Sequence, residues 1–349
     1  MNRIFVAGLG AVSPAGWGVA ALRDALDKGE PLPVQAMARP GWEKPLPARL
    51  VPNPPVRPEF LAHPRLRRTS PITHYAASAA LEALAGLRIK PDAKNFRLGI
   101  VVCLQSGCVQ YSCRFYDETL KNPATASPLV FPETVYAAPA SHVAALLKNV
   151  VLACSLVGDP AAFLQGVSLG VQWLQENRVD ACLVIGAEET NWIMADALWH
   201  LDRHAIVTAG AGALCLCREA KLSSGVELAA ITDSHTYSAR LDRTQAAAAM
   251  RGQLGKNSPK ELLCDGIGSS PRTDAAELAA WRDWTGPRVN PKRILGEGLM
   301  AATAWQCVAT CDAVASGRFA AANVSLVGSN QQAMGARFTV VAQASCLCH

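Results

Sequence analysis

No apolar run in this chain approaches the roughly 20 residues needed to span a bilayer, and the opening Met1, Asn2, Arg3, Ile4, Phe5, Val6 has no signal-peptide pattern. A cytoplasmic location is therefore expected. The twelve cysteines form no CxxC pair and no Cys/His set at zinc spacing, which argues against a metal site and against a disulfide scaffold. Cys103, Cys182, Cys215, Cys217 and Cys307 sit inside apolar runs, where a thiol behaves as a small hydrophobe. Charge is scarce as well: 17% of residues are charged and the formal balance is +5, too mild to imply nucleic acid but compatible with a small acidic protein partner. Apolar residues are abundant. They make up half of the 349 positions, enough to bury one large core or two smaller ones.

These apolar residues are grouped by local period. Val150, Val151, Leu152 and Ala153 lead through Gly158, Asp159 and Pro160 into a segment whose large apolar residues recur at Phe163, Leu164, Val167, Val171 and Leu174, the spacing of a helix. A polar turn at Glu176, Asn177 and Arg178 follows, and then Ala181 to Gly186, a short run that suits a strand buried on both faces. A helix between two such strands is mostly core. Its N-terminus still gathers unpaired N–H groups and partial positive charge, the place where a protein would hold a reactive thiolate or an anion. Here that place holds Asp159, expected as the N-cap, and Pro160, expected as the first helical residue.

Elsewhere, Phe5 to Val12 reads as a strand entering a glycine-rich turn. Gly8 and Gly10 begin a GxGxxG string whose third position is Ser13, followed by Pro14, so a structural turn is expected there and not a dinucleotide site. Helices are expected at 20–26, 73–87, 115–120, 139–147, 193–201, 243–250, 274–284 and 299–315, and strands at 96–104, 211–217, 226–231, 261–264, 323–327 and 337–341. The stretch 29–58 is rich in proline and arginine and reads as a surface crossing. Arg65, Arg67 and Arg68 form a basic cluster, expected to be a solvated edge, with a dock for an acidic carrier protein or a phosphate as the functional alternative. Ser141 beside His142 makes no nucleophile and base pair, because adjacent helical residues point about 100° apart. A helix N-cap at Ser141 or a core-side His142 is expected instead. Two successive α/β series, 1–220 and 221–349 with a junction near Lys221, imply two similar halves packed together, each a helix-covered sheet.

Several strings, in this order, resemble the β-ketoacyl synthases of the thiolase superfamily. Val6 to Pro14 is similar to that family's opening strand and turn, and Phe131, Pro132 with Ala140, Ser141, His142, Val143 and Ala144 to the segment before its nucleophile. Trp173 to Asp180, then Ile185, Gly186, Ala187, Glu188 and Glu189, resemble the helix and strand after the nucleophile. Ser269, Ser270, Pro271, Asp274 and Glu277 are similar to the segment following the first catalytic histidine, Lys292, Gly296, Ala301 and Ala302 to that around the second, and Gly328, Ser329 and Asn330 to the final turn. The resemblance covers nearly the whole chain, and order and spacing carry it more than any single string. It implies a thiolase fold, in which two similar α/β halves pack as a layered αβαβα sandwich.

An active member of that family holds its acyl chain on a cysteine at the N-terminus of the central helix, while two histidines assist decarboxylation of a malonyl unit and stabilise the charge that results. Counted without gaps, the resemblance places Pro160 at the nucleophile, Gly266 at the first histidine and Glu297 at the second. Lys292 alone of the usual polar set remains. Cys154, six residues before Pro160, and Cys264, two before Gly266, are expected to be inert core thiols. The resemblance thus implies a non-condensing, chain-length-factor-like subunit of fatty acid or polyketide (including aryl-polyene) biosynthesis. It would pair with an active ketosynthase, shape its acyl tunnel and share an acyl carrier protein as client; chain-length factors commonly carry glutamine where this chain has Pro160. No cofactor is implied beyond the phosphopantetheine that bears the acyl chain, and no metal, nucleic acid or membrane insertion. Two alternatives stay open: acyl-thioester hydrolysis or transfer by Glu297 with Lys292, against which stands a structural salt bridge between them, and a standalone acyl-binding homodimer.

Overall fold

Runs such as Leu98–Leu104 and Ala181–Glu188 carry apolar residues at nearly every position, so both faces must be covered and helices are needed on either side. The computed structural model, which describes residues 3–87, 95–238, 242–255, 258–268 and 270–341, buries every residue of both runs in this way. In chain order the first series is β1 (Phe5–Ser13), β2 (Gly16–Trp17), α1 (Val19–Lys28), β3 (Gln35–Met37), β4 (Leu46–Arg49), α2 (Pro71–Ala85), β5 (Leu98–Leu104), α3 (Val109–Lys121), α4 (Ala138–Leu147), β6 (Val150–Val157), α5 (Ala162–Gln175), β7 (Ala181–Glu188), α6 (Trp192–Leu201), β8 (Val207–Thr208) and β9 (Gly210–Cys217). The second is β10 (Val226–Ile231), β11 (His235–Thr236), α7 (Arg243–Gln253), β12 (Leu262–Cys264), α8 (Pro271–Ala280), β13 (Arg288–Val289), α9 (Pro291–Leu295), α10 (Met300–Ala315), β14 (Ala321–Val327) and β15 (Gln332–Val340).

The strands line up as β6-β5-β7-β9-β1 and, continuing through a short antiparallel contact of Phe5 and Val6 with Glu227 and Val226, as β10-β15-β14-β12-β13. Each set of five has the same topology. Its second strand lies parallel between the third and the fourth, and the fifth runs antiparallel between the fourth and the first. Helices α5 and α10 lie in the middle, touching each other and strands of both sets, with α2 and α4 outside the first set and α7 and α8 outside the second. This is the αβαβα sandwich, with its largest core around the two middle helices. Trp305 of α10 fixes that layer to the first sheet by donating its indole N–H to the carbonyls of Val12 and Ala211, both at 3.0 Å. Among the described residues no helix is long and apolar enough to cross a membrane.

Several expectations need correction. β1 does not turn at Gly8 and Gly10 but runs through them to Ser13, and α2 packs so closely that a Cβ on either glycine would collide with the carbonyl oxygens of Ala83 and Ala79. The 29–58 crossing contains β3 and β4, which with β8 form a separate three-stranded sheet. β6 extends to Val157 and among the described residues pairs only with β5, as an edge strand; Val151, expected in a buried run, is 53% exposed, and Val157 is 54% exposed. Ser141 is an interior residue of α4, whose N-cap is Ala137, and the His142 imidazole meets Glu133 at 3.0 Å, partly exposed. α8 stops at Ala280, four residues early.

Candidate functional site

Three turns hold the residues that the sequence singles out. The first joins β6 to α5. Asp159 and Pro160 are both buried, but the helical ladder starts only at Ala162 with Ala161 as N-cap, so Pro160 precedes the helix instead of opening it. Asp159 keeps a capping role one step earlier: its Oδ1 accepts from the Ala161 amide at 3.2 Å while its carbonyl accepts from the Ala162 amide at 2.8 Å. The same carboxylate also accepts from the Gln331 amide at 3.2 Å and from Gln332 Nε2 at 3.1 Å, both in the hairpin between β14 and β15. Gln332 Oε1 in turn accepts from Gln165 Nε2 at 2.9 Å and from the Ser234 hydroxyl. Gln165, Ser234, Gln331 and Gln332 carried no signal in the sequence, since their role exists only once the two halves meet.

The second turn follows β12. Gly266 is buried, and its amide donates to Glu277 Oε1 of α8 at 3.0 Å. A Cβ at this position would lie 2.6 Å from Leu326 Cδ1 and 3.2 Å from Glu277 Oε2, so a side chain here requires the Leu326 side chain to move aside. Asp274 closes the turn by accepting from the Gly268 amide with both oxygens at 3.0 Å; Ser269 lies outside the described residues. Burial, and then the negative charge of Asp265, push the Glu277 carboxyl upward. Asp265 is itself raised by burial, although Arg288 at 3.3 Å opposes the shift.

The third turn follows α9. Gly296, with φ near 101°, reverses the chain so that Glu297 returns onto Lys292, and Lys292 Nζ meets Glu297 Oε2 at 2.9 Å with side chains only 2% and 4% exposed. Glu297 Oε1 accepts from the Leu299 amide at 2.8 Å, and its backbone is stitched to β8 through the Ile206 carbonyl at 2.8 Å and the Thr208 amide at 3.1 Å. Lys292 and Glu297 line a cavity of about 300 Å³ together with Arg49, His204, Ser270 and Asp274; Pro160 and Gly266 are not on its lining.

The cysteines do not substitute for a nucleophile at Pro160. Cys264 is buried and its thiol is pushed well above its ordinary value by that burial. Cys154, expected in the core, is only partly buried because β6 is an edge, and burial still raises its thiol. Close to the first turn in the sheet, Glu188 at the end of β7 takes the amides of Gln105 and Ser106 at 2.5 and 3.1 Å, and burial pushes its carboxyl up to about 7. Glu189 does the same for the starts of two helices, accepting from Ile72 at 3.0 Å and Gln110 at 2.7 Å. Buried carboxylates therefore serve here as clamps on backbone amides.

Comparison with known proteins agrees with this architecture. No curated protein sequence matches the chain. Among solved structures, "The ishigamide ketosynthase/chain length factor" superposes with a TM-score of 0.79 at 18% identity, over 97% of this chain and 99% of that one. A β-ketoacyl synthase from Burkholderia phymatum STM815 gives 0.81 at 18% identity, over 98% and 100%. A type II polyketide acyl-carrier protein in complex with its ketosynthase bound to the hexaketide gives 0.80 at 16%, over 97% and 100%. These likenesses establish the thiolase fold. In sequence, the family profile "Beta-ketoacyl synthase, N-terminal domain" matches residues 1–203 of the 349, and the chain belongs to the β-ketoacyl synthase family.

Proposed function

We propose that this chain is a non-condensing member of its family that pairs with an active β-ketoacyl synthase, shapes the acyl tunnel of that partner and shares its acyl carrier protein, in the manner of a chain-length factor of fatty acid or polyketide biosynthesis. The observation that carries the reading is that Pro160, Gly266 and Glu297 are each built into the scaffold: a buried proline without a nucleophile, a buried glycine closely flanked by the Leu326 and Glu277 side chains, and a carboxylate tied to Lys292. The chemistry needs a thiolate and imidazole donors aimed at a developing enolate. None of these groups stands at the three positions. Hydrolysis or transfer by Glu297 with Lys292 is not favoured, because their 2.9 Å contact has the form of a structural ion pair.

Two surfaces support the partners. β6 presents an unpaired strand edge with Val151, Ala153 and Val157 exposed, suited to pairing with a second subunit. Arg65, Arg67 and Arg68 are exposed, and among the described residues their side chains make no ion pair, so they are open to an acidic carrier protein and the phosphate of its pantetheine arm. A ketosynthase/chain length factor and a ketosynthase with its acyl-carrier protein both stand among the structural relatives.

The test is co-expression of the tagged chain with a ketosynthase that retains cysteine and both histidines. A one-to-one complex whose product lengths change when this chain is exchanged is the expected result; a self-dimer with no affinity for such an enzyme overturns the reading. Pro160→Cys alone is expected to give no β-ketoacyl thioester from acyl and malonyl thioesters, since Gly266 and Glu297 still lack imidazoles. Robust condensation by that variant would mean that the histidine positions lie elsewhere.

A further inference from the structure

Asp159 is buried, only 3% exposed, and among the described residues no lysine or arginine forms an ion pair with it. Dipoles surround it instead. Ala161 N at 3.2 Å and Gln332 Nε2 at 3.1 Å converge on Oδ1, while Gln331 N reaches Oδ2 at 3.2 Å. The Gln332 amide has one orientation open to it, because Gln165 Nε2 and the Ser234 hydroxyl both donate to its oxygen and so aim its NH₂ group at Asp159. Gly328 lies over the carboxylate so closely that a Cβ there would strike Oδ2, and the Tyr237 hydroxyl donates to the Gly328 carbonyl and holds that backbone down.

We infer that the start of α5 and the last hairpin together form an anion hole, that Asp159 is its built-in occupant, and that a small external carboxylate takes its place when the side chain is cut away. One donor comes from the nucleophile turn and two from the far end of the chain, so the occupant also latches the first series of the fold to the second. Convergent backbone and amide N–H groups at a helix start are what a developing oxyanion beside residue 160 would use. In this chain they are already taken by an anion one residue away. A thioester carbonyl entering here meets a filled and negatively charged site. The anion hole exists whether or not the chain pairs with a ketosynthase.

Thermal unfolding of Asp159→Ala in sodium formate and in sodium chloride, matched for ionic strength, tests this directly. The variant is expected to melt below the parent in chloride and to regain most of the lost midpoint, saturably, in formate, while the parent responds alike to both salts. Adding Gln332→Ala is expected to abolish the formate response. Asp159→Asn, which fills the space with a neutral amide, should melt lower and show no formate shift. An Asp159→Ala midpoint indifferent to which salt is present overturns the inference, as does a formate gain that the parent, the Asn variant or the Gln332→Ala variant shares. Should Asp159→Ala not fold in chloride, the yield of folded protein on refolding in each salt gives the same reading, and equal yields count against the anion hole.

Discussion

Lys292 and Glu297 are five positions apart, too far to meet on a regular helix, and they meet because α9 ends at Leu295 and Gly296 turns the chain back. With both side chains almost fully buried, removing either one takes from the other its ion-pair partner in the interior. Lys292→Met or Glu297→Leu alone is expected to cost about 3 to 5 kcal/mol of stability, and the double variant less than either single one, as measured by urea unfolding. Strictly additive losses would show that the two groups do not depend on each other. Gly266, which the resemblance aligns with the family's first histidine, makes the complementary point. There a Cβ would meet the ends of the Leu326 and Glu277 side chains, at 2.6 Å and 3.2 Å.

At the scale of elements, β6 differs from the other four strands of its sheet. Its parallel pairing with β5 satisfies one edge, and Leu152, Cys154 and Leu156 pack inward beside α5, while Val151 and Val157 face out. A twisted edge with apolar residues is a pairing surface when nothing covers it. Val151→Lys combined with Val157→Lys is expected to leave the unfolding midpoint nearly unchanged, because exposed substitutions usually shift stability by no more than about 0.5 kcal/mol. The same variant should lose the proposed association with a second subunit in sedimentation velocity. Association that survives both lysines would place the interface on another element.

Across the whole molecule, buried and half-buried carboxyls act as clamps: half-buried Glu82 holds the amides of Ala11 and Val19, Glu188 and Glu189 hold the turns near β5 and α2, and Glu277 holds Gly266. Burial is the largest cause raising all four, and for Glu188 the shift is from 4.5 to about 7. A carboxyl raised in this way binds its proton more tightly folded than unfolded. For Glu188 the resulting stability is fully present below 4.5 and is lost as pH rises through about 7. The unfolding midpoint is therefore expected to fall between pH 5 and pH 8, and Glu188→Gln should flatten that slope, as followed by calorimetry. A midpoint that climbs over this interval would contradict the burial of these groups. Asp180 and Asp283 act in the opposite sense, their carboxyls lowered by hydrogen bonds to Arg97 and Arg251, but solvent screens such exposed pairs.

The order of helices and strands was legible because each depends on the period of a short stretch: Val226–Ile231 is a strand as read, and Phe163, Leu164, Val167 and Leu174 do face the core. Pro160, Gly266, Lys292 and Glu297 were singled out by the resemblance to the family and not by spacing alone. What those residues do there was not legible, because it depends on groups brought from elsewhere. Gln332 lies 173 positions from Asp159, and the room at Gly266 is set by Leu326 on a neighbouring strand. The edge position of β6 and the passage of β1 beneath α2 were hidden for the same reason. An apolar run specifies that it must be covered, and only the tertiary structure decides what covers it.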